Sequence, residues 1–174
     1  MSVKHTRNFV KIQKCSNIRI KAKKLDLTVP KAVWILPKSF EQLKSLDGLL
    51  YESDYELVVK LFRKNNISFS LLDKNEITYP KLSQHSFEFV TLPLIAFTIE
   101  FLRENPDIIS TALNILYSFF KKRLHRNPEK EKYIIRSTVI KEIQNSSFKK
   151  YEYEGPYDGY KDFIDLIKND KDDG

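Results

Sequence analysis

The amino-acid sequence predicts a single α+β domain, with a mixed or antiparallel sheet of about five to six strands and two main helices packed on it. Three observations predict it. Apolar and polar residues alternate with period two near both ends of the chain, at residues 9–13 and 148–154, as strands require. Apolar stripes of helical period, opened by capping residues, occupy residues 53–65 and 106–125. The chain has 174 residues, 41% of them hydrophobic and 30% charged, which suits one globular core.

Residues 9–29 read as a basic strand pair. Val10 and Ile12 alternate with Lys11 and Gln13, and Cys15-Ser16-Asn17 supplies a turn. Ile18, Ile20 and Ala22 then alternate with Arg19 and Lys21. After Lys24 the phase flips to Leu25, Leu27 and Val29, as at a β-bulge or a break between short strands. Pro30 and Pro37 bracket a short apolar strand, residues 32–36. Ser39 and Gln42 have capping-box spacing and open a short helix carrying Phe40, Leu43 and Leu46. A second box, Ser53 with Glu56, opens the helix at 53–65, whose stripe is Leu57, Val58, Leu61 and Phe62. Asn65-Asn66 ends it, residues 67–71 alternate as a strand, and residues 73–86 read as irregular loop.

A helical hairpin is expected over residues 92–125. Its second helix has Asn105 as cap, Pro106 at the first position and Asp107 in the first turn, with Lys121, Lys122 and Arg123 at the other end. The apolar arc is wide: Ile108, Ala112, Ile115 and Phe119 form one face, and Ile109, Leu113, Leu116 and Phe120 a flanking one. Three readings stand beside each other. The helix is the core of the domain, or Ile109, Leu113, Leu116 and Phe120 form a protein interface, or the hairpin meets a membrane. Ser110, Thr111, Asn114 and Ser118 give the helix a solvent-tolerant strip, which favours burial over lipid. The apolar stretches Leu92–Phe101 and Ile108–Phe120 are each shorter than the ~18–20 residues of a spanning helix.

Residues 133–168 read as a β-hairpin plus a helix, with strands at 133–143 and 148–154 and a turn at Asn145, Ser146 and Ser147. Gly155 is expected to take backbone angles closed to other residues, and Pro156 to fix the next φ, so that the chain swings into a helix at 160–168. The domain is expected to span 1–168, with 169–174 a disordered acidic tail.

Charge is distributed unevenly. Of the net +7, residues 1–31 hold an excess of +8, nine cations against Asp26 alone, and the remainder is nearly neutral. Two readings follow: a solvated edge blunted by lysine, or a polyanion surface of Lys11, Arg19, Lys21 and Lys23. The tyrosines that would stack on bases, Tyr151, Tyr153, Tyr157 and Tyr160, lie elsewhere in sequence among Glu152, Glu154 and Asp158.

Catalytic grammar is missing. His5, His85 and His125 are far apart, and the lone Cys15 excludes a disulfide framework, so neither metal nor cofactor is expected. No P-loop, nucleophile elbow or zincin motif occurs. Glu142-Ile143-Gln144 comes nearest to the Glu-x-Lys of restriction nucleases but lacks the lysine, and reads as plain strand. An isolated cysteine and no secretory leader fit a cytoplasmic location.

The helix at 56–66 with the strand after it, the Leu-Pro apolar segments, and Tyr151-Glu152-Tyr153-Glu154-Gly155-Pro156-Tyr157-Asp158-Gly159 before a last helix together resemble small uncharacterised bacterial effector-associated domains of conflict and anti-phage operons. The resemblance covers about residues 55–168 in order of elements. It implies an accessory or adaptor role and offers no catalytic residue. The resulting expectation is a non-enzymatic interaction domain, binding a protein partner or itself; nucleic-acid binding and membrane association are the alternatives.

Overall fold

A computed structural model describes residues 8–47, 49–52, 54–72, 89–125 and 134–170. The fold is α+β, a six-stranded mixed sheet with helices on both faces. The strands are β1 (Phe9–Cys15), β2 (Val33–Leu36), β3 (Phe69–Ser70), β4 (Phe89–Phe97), β5 (Ile134–Ile143) and β6 (Ser147–Gly155), in the spatial order β1-β6-β5-β4-β2-β3. The helices are α1 (Ile18–Lys24), α2 (Tyr55–Lys64), α3 (Ile99–Glu104), α4 (Ile108–His125) and α5 (Tyr157–Asn169). β4 and β5 run parallel, joined through α3 and α4, while β5, β6 and β1 form an antiparallel edge of the sheet.

The last third of the chain follows its pattern closely. β5 and β6 pair from Ile135 with Gly155 to Ile143 with Ser147. Ser146 turns the chain at φ 54°. α5 starts earlier than expected, at Tyr157, and lays Tyr160, Phe163, Ile164 and Ile167 on the sheet. Tyr160 and Ser137 share a 3.0 Å hydroxyl hydrogen bond beneath it. Gly155 does not have the left-handed backbone expected of it. Its missing side chain matters for space instead: a Cβ there would lie 2.8 Å from the Tyr153 hydroxyl, and one on Gly159 2.1 Å from the Asn8 amide. The expected loose tail is also corrected at its start. Asp170 accepts hydrogen bonds from the Tyr151 hydroxyl at 2.6 Å and from Lys149, which tie it to β6. Residues 171–174 lie outside the described residues, as does the loop expected at 73–86.

Two expectations fail, for related reasons. The strand pair expected over residues 9–29 is one strand and one helix. Ile18 and Ala22 satisfy period two but also the i, i+4 spacing of a helix, and they are the two buried residues of α1. The Asn17 side chain accepts from the backbone N–H groups of Arg19 and Ile20, a helix cap that decides between the periods. Ile20, which a strand would have buried, is left 56% exposed. The phase flip after Lys24 is the helix end, where Asp26 takes φ 57°.

The helical hairpin at 92–125 likewise does not form, because residues 89–97 are a strand. A continuous apolar run fits a strand buried on both faces as well as a buried helix. Pro93 is accommodated where the β4–β5 register shifts between Thr91 and Leu94, the kind of irregularity at which a sheet tolerates proline. Only α3 and α4 remain helical, and the proposed membrane hairpin loses its first arm.

α4 is a core helix. Ile109, Leu113, Leu116 and Phe120 are buried with Ala112, while Thr111 and Ser118 on the polar strip are exposed. The four residues weighed as an interface are therefore interior packing against the neighbouring helices and sheet. α2 begins at Tyr55; Ser53 of its expected capping box lies outside the described residues. Asp54 accepts the Thr91 N–H at 3.1 Å and so links the helix start to β4. The short helix at Phe40 is a single 3-10 turn, Phe40–Gln42, whose buried Phe40 packs edge-on against Trp34 of β2.

Candidate functional site

The basic quartet from the sequence does not assemble. Arg19 clamps Glu142 through two hydrogen bonds, Nε to Oε1 at 2.8 Å and Nη2 to Oε2 at 2.7 Å, and also pairs with Glu100. Lys21 donates to the Leu43 carbonyl. Lys11 stands on β1 and Lys23 on α1, both exposed. Two of the four cations thus hold the fold together rather than facing a polyanion.

The Arg19 network lines an open cleft of about 480 Å³ with Ile99, Glu100, Arg103, Glu142 and Gln144. The cleft lies beyond the carboxyl ends of the parallel strands β4 and β5, a common ligand position in parallel sheets. Its chemistry is nevertheless closed. Glu142 is 2% exposed, and besides Arg19 it accepts the Ile99 N–H at 2.9 Å. The hydrogen bonds to Glu142 hold the Arg19 guanidinium above its ordinary pKa. A backbone N–H, with Arg19 adding, holds the Glu100 carboxyl below the usual range. The Glu100 carboxyl is thus stabilised as an anion, and both oxygens of Glu142 are taken up by hydrogen bonds within the fold. Glu142 is the residue the sequence treated as plain strand; its partner, far away along the chain, left no local signal.

Cys15 ends β1 half-buried, and burial with the nearby Glu41 pushes its thiol up to about 11. Such a thiol is protonated at neutral pH and a poor nucleophile. Glu41 is held by Ser16 at 2.7 Å and by Lys150. Against burial, which alone raises a carboxyl pKa, these partners keep it below the usual range. α1 and the Phe40 turn are thereby pinned to the sheet face opposite α5.

The remaining feature is β1 itself. Its inner edge pairs antiparallel with β6 from Phe9 with Glu154 to Cys15 with Phe148. Its outer edge has no strand partner among the described residues. Val10 and Ile12 stand opposite Tyr153 and Tyr151 on the face that α5 covers, but beyond its reach, and are 40% and 45% exposed. On the other face Phe9, 56% exposed, and Lys11 border a small groove of about 170 Å³ with Arg136, Thr138, Glu152 and Glu154. There Arg136 pairs with Glu154 at 3.0 Å and lies 4.0 Å over the Phe89 ring. The Val10–Ile12 alternation was visible in the sequence; that no described element would cover it was not.

Among the described residues no three His, Cys, Asp or Glu side chains are grouped to hold a metal ion, and no helix is long and apolar enough to cross a membrane. No family model, curated protein or solved structure matches the chain.

Proposed function

We propose that this chain is a non-catalytic interaction domain, an adaptor that captures an extended segment of a partner protein along the outer edge of β1. The observation that carries this reading is a seven-residue edge strand whose Val10 and Ile12 are open to solvent on a face otherwise covered by helices. An unpaired edge offers a row of backbone donors and acceptors, and recognition by strand addition uses that row for affinity and alternate side chains for specificity. The accessory role implied by the effector-associated resemblance fits a domain of this kind. Peptides selected from a random library on the full chain test the reading through amide hydrogen exchange. Protection of residues 9–15 by the selected peptides, lost on Ile12→Lys, is the expected result; protection elsewhere, or none, rejects it.

A second reading, polyanion binding, keeps the exposed Lys11, Lys14, Lys23 and Lys24. Heparin retention that survives reversal of those four charges to glutamate removes it.

A further inference from the structure

We propose that the segment received by β1 is an acidic strand of a partner protein, one in which carboxylates and apolar residues are spaced to meet Lys14, Ile12, Lys11 and Val10. The inference rests on the docking edge described above and names its occupant.

Charge is the first argument. From Phe9 to Lys24 the chain holds six cations and no anion. Arg19 and Lys21 are engaged inside the fold, but Lys11 and Lys14 have no ion-pair or hydrogen-bond partner among the described residues. Lys14 stands opposite Lys149 in the β1–β6 register, and the charge of Lys149 is taken up by Asp170. The edge therefore presents a lysine without an ion pair on each face of the strand, with Glu152 as the cross-strand neighbour of Lys11 and no acid across from Lys14.

The second argument is the strand β1 already pairs with. On its inner edge β6 sets Tyr151 and Tyr153 opposite Ile12 and Val10, and Glu152 opposite Lys11. An incoming antiparallel strand meets the same side chains from the other side. Read in its own direction, it places an acid opposite Lys14, a free position, an apolar residue opposite Ile12, an acid opposite Lys11 and an apolar residue opposite Val10. Opposite charges directly across strands stabilise and like charges destabilise.

The same register disfavours a second copy of this chain. Two β1 edges paired antiparallel about Ile12 would set Val10 against Lys14 and gather the lysines of both copies into one narrow strip. An acidic partner removes that repulsion.

The test uses the full chain and synthetic peptides with a Thr-Glu-Thr-Val-Glu-Val-Thr core, the same core with both glutamates changed to lysine, and a version of the acidic peptide with its order scrambled. The acidic peptide is expected to bind about tenfold more tightly than the lysine peptide at low salt. It should protect the amides of residues 9–15, and the scrambled peptide should not. Lys11→Gln with Lys14→Gln should erase the preference, and Lys11→Glu with Lys14→Glu should invert it; the glutamine pair keeps the test valid if the glutamate pair is unstable. Equal binding of the acidic and lysine peptides, both protecting β1, overturns the acidic occupant and leaves the docking edge standing. Binding of neither, together with no protection of β1 by library-selected peptides, overturns the edge as well.

Discussion

Arg19 and Lys11 belong to one basic run of sequence, yet the fold puts them to opposite uses. Arg19 reaches across to β5 and closes on a carboxylate that is 2% exposed. Lys11 lies on an open edge with no partner among the described residues. The contrast teaches that a cation's meaning depends on where its counter-charge lies. A buried carboxylate makes the arginine a structural necessity, because an unpaired buried charge is expensive. A solvated lysine contributes little to stability and is free to serve recognition.

The sharpest way to break that comparison is Arg19→Leu, which leaves Glu142 with only the Ile99 N–H among the described residues. The expected loss is about 3 kcal/mol of unfolding free energy in urea, with Arg19→Leu/Glu142→Leu recovering most of it. A loss under about 1 kcal/mol in the single variant would put Arg19 in the same class as Lys11. A comparable cost, about 2–5 kcal/mol, is expected for Leu113→Ala on the buried face of α4. The corresponding truncation at the edge, Ile12→Ala, should stay within about 1 kcal/mol. Equal costs at the two positions would mean that Ile12 is covered in solution.

Glu52 sharpens the comparison through pH. Its side chain is 5% exposed, one oxygen accepts the Lys38 N–H at 2.6 Å, and the other has no partner among the described residues. Burial raises its pKa in the folded chain, so the folded state resists ionisation that the unfolded state accepts. The Glu52 contribution is therefore fully present below the ordinary carboxyl range and declines as pH rises from there through the folded pKa. Glu52→Gln keeps an acceptor for Lys38 and should gain stability relative to the parent as pH climbs from 4 to 7 in urea titrations. A pH-independent difference would show that Glu52 is not the group responsible. Smallest of all, Lys11→Ala and Lys14→Ala should each change stability by no more than about 0.5 kcal/mol. Their effect belongs to binding.

How much was legible follows from the same physics. The β5-turn-β6 unit and α5 were readable because their partners are neighbours in sequence and their periodicities unambiguous. α1 was misread because Ile18 and Ala22 fit two periods, and β4 because a run without polar residues fits any buried element. Of the candidate site, the lysines and the Val10–Ile12 alternation were visible, but the Arg19–Glu142 clamp was not.

Sequence alone determined the class of this protein, the wide apolar arc of α4 with its narrow polar strip, and the surplus of cations near the start of the chain. These depend on periodicity and composition, which are local quantities. Only the tertiary structure decided that Arg19 and Lys21 turn inward, that β1 lies at the rim of the sheet, and that Ile109, Leu113, Leu116 and Phe120 face the interior. Such outcomes depend on which distant segments meet, and that choice is made by the packing of the whole chain.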